Sequence, residues 1–314
     1  MTKYSFLTPV YKTEFLREAI DSMLLQSYRD FDIIISDDCS PNDIAGELST
    51  YNDQRIRYRK NKVNIGGERL VEHWNLLLKE CNSEYVIMAS DDDIYSPDFL
   101  EIVDSLTLKY PEVDVIRTRV QRINENSEVT AKEDIFDEYQ SKIEALNSIF
   151  CGNYIGCVGN YVFKRSILLE KGGFLNLPYA WFSDMVAAIS LMDKGQVNTK
   201  ELLFNFRLSD YNISGMKRNK RIDQSKLLAT LHFDNWICTD LNRITPHTLL
   251  EKKEFEQVIR EVKHRVYSQS GDYSWALPLW KWFNIYKSLE QNLFFSKNSF
   301  CKYFTIAVIN RLLG

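Results

Sequence analysis

The first 120 residues alternate between two hydrophobic periods, and that alternation leaves the chain few architectures to choose from. YSFLT (Tyr4 to Thr8) is a short β-rich run ended by Pro9. Phe15, Leu16, Ala19, Ile20, Met23 and Leu24 then recur at helical spacing. FDIII (Phe31 to Ile35) is almost unbroken in apolar character, as a strand covered on both faces would be. A short helix over Ile44 to Tyr51 leads to a strand around Ile56 to Arg59, and Gly66-Gly67 precedes a helix through Leu70, Trp74, Leu77 and Leu78. Tyr85 to Ala89 and Val113 to Val120 read as further strands. Strands alternating with helices predict an α/β fold with a mostly parallel sheet and right-handed crossovers.

Composition narrows the function classes. The chain has 314 residues, enough for one large domain and an appendage. Its net charge of −4 provides no basic field, which argues against non-specific nucleic-acid binding. Six cysteines without a CxxC pair read as reduced thiols. Met1 runs almost directly into a strand pattern, and Tyr303 to Ile309 is too short an apolar run to span a bilayer, so a cytoplasmic location is expected.

Ligands of such sheets bind beyond the carboxyl ends of the strands. Three polar segments are expected there: TPVYK after the first strand, SDDCS after the second, and SDDD after the fourth. The last belongs to MASDDDIYSPDF, in which three adjacent aspartates have no basic neighbour in sequence. One such segment is most simply a solvated turn. Three on one edge point instead to a crevice where a divalent cation and phosphates supply the missing charge balance.

PVYK (Pro9 to Lys12), SDDCSPND (Ser36 to Asp43), NIGG (Asn64 to Gly67) and EYVIMASDDDIYSPDFL (Glu84 to Leu100) resemble family 2 glycosyltransferases of the GT-A fold. VFKRSILLEKGGF (Val162 to Phe174), WFSDM (Trp181 to Met185) and FRLSDYNIS (Phe206 to Ser214) continue the pattern in order, so the likeness covers roughly residues 3–215. The DDxIYxPDxL variant is similar to spore-coat and surface-polysaccharide transferases. The resemblance implies a Rossmann-like sheet flanked by helices in a transferase domain over 1–221. Its nucleotide half would cover about 1–120 and its acceptor half about 121–221, with a helical C-terminal region over 222–314.

Roles follow from the resemblance residue by residue. Asp38 matches the carboxylate that reads a uracil edge, and Tyr11 matches an aromatic packed on the base. Pro9 opens the same loop, with its carbonyl toward the base. Asp91 matches a ribose or metal contact. Asp92 matches the last carboxylate of a DxD metal motif, with Asp93 a second metal candidate and Mn²⁺ or Mg²⁺ the implied cofactor. Asp184 matches the catalytic base, and Arg69 is a candidate for base or phosphate contact. Three positions depart from the pattern: Ser90 replaces the first DxD carboxylate, Ser183 replaces a Glu, and Ser209 stands where a His is common.

The implied reaction is inverting transfer from a nucleotide-diphosphate sugar, uridine-linked by the resemblance, to a hydroxyl of a glycan or lipid-linked glycan. A sugar nucleotidyltransferase is the first alternative, although PVYKTEF lacks the glycines of a phosphate loop. A catalytically silent donor-binding scaffold is the second, kept open by the three serines. Asp184 also heads a helix-like run, Met185 to Met192, so an N-cap role stands beside the catalytic one. His73, His232, His247 and His264 lack metal spacing and read as surface or satisfied histidines, while Cys157 has no His near it in sequence to activate a thiol. KRNKR (Lys217 to Arg221) reads as a solvated loop or as a basic lid over a diphosphate.

From Ala276 to Gly314 five Lys or Arg face one Glu among nine aromatics. That composition suits an interfacial membrane contact at the inner face of the cell membrane. It suits equally a helical appendage or homodimer interface.

Overall fold

The computed structural model describes residues 2–215 and 219–273, together with Cys301 and Thr305. The basic aromatic segment from 276 to 314 lies outside these apart from those two residues, as do Lys217 and Arg218 of the KRNKR run.

Among the described residues ten strands form one sheet, with β1 at Tyr4–Val10, β2 at Phe31–Asp37, β3 at Ile56–Lys60, β4 at Tyr85–Met88 and β5 at Ile94–Tyr95. β6 is Val115–Ile123, β7 Val129–Lys132, β8 Tyr139–Gln140, β9 Tyr161–Lys164 and β10 Gln196–Arg207. The main order is β3-β2-β1-β4-β9-β6-β10-β5, with β7 on β6 and β8 on β10. The expected parallel arrangement holds through β3-β2-β1-β4 and again between β6 and β10. β9 runs antiparallel to both of its neighbours and joins the two parallel groups.

Nine helices cover the sheet among the described residues. They are α1 Leu16–Leu24, α2 Ile44–Leu48, α3 Leu70–Glu80, α4 Phe99–Lys109, α5 Lys142–Cys151, α6 Arg165–Glu170, α7 Ser183–Leu191, α8 Lys220–Leu241 and α9 Leu249–Tyr273. Alternation along β1 and β2 sends Phe6, Ile33 and Ile35 to one face, against α1 and α4. Leu7 and Ile34 point to the other, against α3, α5 and α7. This double cover is why FDIII shows no polar alternation. β3, at the edge, exposes Arg57 and Tyr58, and its charged side chains discourage pairing with another chain.

Two sequence readings shift. β1 passes through Pro9 to Val10, because the ladder with β4 ends at Leu7 opposite Met88 and leaves no bond on that side for Pro9 to miss. α8 starts at Lys220, where the Asn219 side chain accepts from the N–H groups of Arg221 and Ile222. The helical region also packs into the core, since Phe233, Ile237 and Leu241 of α8 and Val258 of α9 share the apolar cluster of α3 and α7.

One buried ion pair organises the half beyond β4. Arg117 of β6 and Glu133, after β7, are both 1% exposed, and they form a two-pronged pair. Glu133 also accepts the Ile155 N–H at 2.8 Å, and the Arg117 guanidinium lies 4.0 Å from the Tyr154 ring centroid. The pair therefore fixes the 152–160 loop. Arg117→Met should lower unfolding stability by about 3–5 kcal/mol, because it leaves a buried carboxylate without its countercharge. Urea titration measures this, and Arg117→Met/Glu133→Gln should lose less than the single variant, the neutral amide keeping its acceptor oxygen for Ile155.

Candidate active site

The three polar segments meet at one sheet edge. Asp91 Oδ2 accepts the backbone N–H groups of Tyr11 at 3.3 Å and Lys12 at 3.2 Å, which ties the loop after β4 to the loop after β1. Ser40 Oγ donates to the Tyr11 carbonyl at 2.6 Å, tying in the loop after β2. Pro9 is half-buried at the root of this junction, and the Tyr11 ring stands 44% exposed above it. A flat aromatic surface is thus available for a ligand to stack on.

Asp38 is buried and its acceptors are in use. Oδ1 accepts from Asn61 Nδ2 at 3.0 Å and the Ile65 N–H at 2.9 Å; Oδ2 accepts from Asn64 Nδ2 at 3.1 Å and the Gly66 N–H at 2.9 Å. Four bonds match the acceptor capacity of a carboxylate, so Asp38 shapes the Asn64–Gly67 turn with both oxygens. His73 beneath it is the satisfied core histidine, 1% exposed and 2.7 Å from Ser36 Oγ, and burial holds its pKa below the usual imidazole value. Arg69, heading α3, is paired within that helix. Its guanidinium forks onto Glu72 one helical turn on, at the exposed surface.

The three adjacent aspartates occupy three different environments. Asp93 is 3% exposed, with Oδ1 accepting the Arg207 N–H at 2.8 Å and Oδ2 accepting from Ser90 Oγ at 2.5 Å. Ser90, in place of a carboxylate, thus donates a bond where a carboxylate would repel. Burial, and then the Asp92 charge, push the Asp93 carboxyl well above its usual range. Burial and Asp92 likewise push Asp91 up to about 6. Asp92 is raised by burial, and Ser90, Lys12, Asn212 and Arg207 hold that rise back.

Arg207, at the end of β10, is the feature that sequence reading did not single out as a support. It is fully buried, and its Nε donates to the Asp92 carbonyl at 2.8 Å. Its other nitrogens reach the Asn124 and Glu125 carbonyls, Ser127 Oγ and the Glu18 carboxylate. The FR pair quoted from the sequence marked the position, but not the target of the side chain.

Among the described residues no three His, Cys, Asp or Glu side chains form a metal cage. The donor set that remains, Asp92 with Asp91 beside it, suits a hard cation held by one or two carboxylates and completed by phosphate oxygens. Asp93, with an N–H or O–H on each oxygen, braces this loop from below.

Asp184, from a separate helix, lines the same space. Asp92, Asp93 and Asp184 line one cavity of about 320 Å³, walled by Tyr179, Trp181 and Phe182. The N-cap reading of Asp184 fails, because Phe182 occupies that position and Asp184 is the second residue of α7. Tyr179, Ala180 and Phe182 all have positive φ, at 56°, 55° and 73°. Non-glycine residues held so cost about 1–3 kcal/mol each and persist only where packing enforces them. Here Ser183 Oγ donates to the Leu175 carbonyl at 2.7 Å, and Phe182 stacks on Phe233 of α8 at 4.4 Å. Ser183 therefore has a bond of its own in the turn that aims Asp184. Cys157, also lining the cavity, is a buried thiol pushed well above its usual pKa and so stays protonated.

Burial raises the Asp184 carboxyl to about 6 from the 3.8 of an unfolded chain. Between those values the folded state holds the proton that the unfolded chain has lost, so this group's contribution to stability falls as pH rises through the window. Asp184→Asn has no such proton. Its melting temperature should exceed that of wild type above about pH 6, with the gap closing toward pH 4. A pH series of thermal melts measures the gap, and one independent of pH would mean the carboxyl is solvated.

With this geometry in place, comparison with known proteins is informative. The model for Glycosyl transferase family 2 matches residues 5–170. An uncharacterized glycosyltransferase of Rickettsia felis is 35% identical over 130 residues, covering 40% of this chain and 20% of that protein. The succinoglycan biosynthesis protein ExoW of Rhizobium meliloti is 31% identical over 103 residues, 32% of each chain. The matched stretches are therefore a fifth to a third of those relatives' lengths. Among solved structures, Staphylococcus aureus TarS 1–349 in complex with UDP-GlcNAc superposes with TM-score 0.60 at 14% identity, over 99% of this chain and 92% of that one. The mannosyltransferase PcManGT of Pyrobaculum calidifontis, in complex with GDP-Man and Mn²⁺, gives 0.56 at 13% identity over 99% and 87%. The architecture is the GT-A fold, and with more than half of its length matched by the family model the chain belongs to Glycosyl transferase family 2.

Proposed function

We propose that the protein transfers a sugar from a nucleotide-diphosphate donor, UDP-linked, to a hydroxyl of a bacterial surface glycan, with inversion at the anomeric carbon. The observation that carries this reading is the single cavity in which an acidic loop at a sheet edge faces a carboxylate on a separate helix. The TarS neighbour complexed with UDP-GlcNAc supports the donor class, and the relationship to ExoW supports a polysaccharide product.

The residues divide the work by position. The exposed Tyr11 ring receives the nucleobase on the platform opened by Pro9, and the turn fixed by Asp38 closes the edge of that platform. Asp92, with Asp91, would hold a divalent cation against the donor diphosphate, as the Mn²⁺ complex of PcManGT suggests. Bound there, the cation supplies positive charge to the departing diphosphate. Asp184 takes the proton of the acceptor hydroxyl as that oxygen attacks the anomeric carbon. A base with a pKa of about 6 is largely ionised at neutral pH yet still basic enough to accept a proton. The cavity presents one such base, and the Cys157 thiol beside it is protonated, so direct displacement with inversion is the simplest course.

Asp92→Ala should abolish the metal dependence of UDP binding and leave the fold intact. Calorimetry with UDP, with and without Mn²⁺, reads this directly, and unchanged metal-dependent affinity would remove Asp92 from the site. Asp184→Asn should reduce transfer by about two to four orders of magnitude with UDP affinity unchanged. Near-normal turnover in that variant would mean that another group accepts the proton.

A further inference from the structure

The cavity is lined by both acidic and basic side chains. Ser90, Asp92 and Asp93 line it together with Asp184, the aromatic side chains of Tyr179, Trp181 and Phe182, and Arg265 of α9. Arg265 lies well beyond the family match, which ends at residue 170. Its Nη2 donates to the Ile149 carbonyl at 3.1 Å, and its guanidinium sits 5.2 Å from the Phe150 ring centroid. A basic side chain on a last-turn carbonyl of α5 is a favourable helix-end contact, and that is the structural role visible in the folded chain.

That role uses one of five N–H donors. The comparison with other interior arginines is telling. Arg117 is neutralised by Glu133, and Arg207 has Glu18, three carbonyls and a hydroxyl. For half-buried Arg265 no carboxylate among the described residues lies within ion-pair distance; Glu261, one turn earlier on α9, acts on it only through its charge, and burial still pushes its pKa below the usual arginine value. A partly desolvated guanidinium with spare donors, lining the cavity that holds the base, is complementary to an anion.

We infer that the acceptor is an anionic glycan whose phosphate or carboxylate pairs with Arg265 while its sugar faces lie against Tyr179, Trp181 and Phe182. This rests on the transfer reading above and adds the class of acceptor to it. The cavity is small, so the charged group belongs to the sugar that receives the transfer or to its immediate neighbour. Phosphate and carboxylate share the planar, bidentate hydrogen-bonding that a guanidinium favours over a hydroxyl.

The test uses the full chain with UDP and Mn²⁺ on an array of matched oligosaccharides in neutral, uronate-bearing and phosphate-bearing forms. Wild type should bind an anionic form about tenfold or more tightly than its neutral counterpart, and the two anionic arms tell which group is preferred. Arg265→Gln should lose that preference with UDP affinity unchanged, and Arg265→Lys should keep part of it. Equal binding of neutral and anionic forms by wild type overturns the inference, as does a folded Arg265→Gln that keeps the preference. If Arg265→Gln does not fold, the wild-type array decides alone, with free glucuronate and glycerol phosphate as competitors. Failure of wild type to bind UDP by calorimetry defeats the transfer reading itself, an outcome distinct from loss of anion preference.

Discussion

The buried guanidinium of Arg207 is the contact on which the acidic loop depends. Asp91, Asp92 and Asp93 are adjacent, and burial penalises the charge of each. Such a loop would splay toward water unless other parts of the chain held it. Arg207 holds it through the main chain, donating to the Asp92 carbonyl from its side chain and to Asp93 from its own N–H. The same side chain binds Glu18 of α1 and the turn between β6 and β7, so four separate pieces of chain share one cation. Because its bonds to the loop are to a carbonyl and through an amide, the side chain of Asp92 is left toward the cavity.

The sheet was legible where one physical rule governed it. FDIII is unbroken because both faces of β2 are covered, and the helix through Leu70, Trp74, Leu77 and Leu78 is α3 because those positions fall on its buried stripe. β10 shows no strand period, since QVNTKELLFNFR carries a register shift between Asn198 and Leu202 that breaks the alternation of two. β5 and β8 have two residues each, too few for any periodicity to emerge.

The candidate site was legible in its acids and illegible in their partners. Lys12 and Arg207 supply the positive charge that Asp91 to Asp93 lack in sequence, and only folding brings them there. The pairing of Arg69 with Glu72, one turn of helix away, was likewise not apparent from the motif. The cap assigned to Asp184 was misplaced because Phe182, an unusual residue for a left-handed conformation, opens α7.

The helices after residue 219 bear on that same strained turn. Phe233 of α8 stacks on Phe182, while Lys226 lies over the Trp181 ring at 4.2 Å and donates to the Ile213 carbonyl at 3.1 Å. Trp181 and Ile213 both line the cavity, so one buried ammonium joins the segment leading to Asp184 with the loop following β10. Three positive-φ residues in four positions would relax if unsupported, and the Asp184 carboxyl would then lose its aim. The family match covers β1 to β9 and the acidic loop but ends before Asp184, β10, α8 and α9. The cavity is therefore built from two stretches of chain, the acidic loop inside the family match and the 179–185 segment with α9 beyond it. Under the anion pairing inferred above, acceptor selectivity would reside on α9, a different element from the one that carries Asp91 to Asp93.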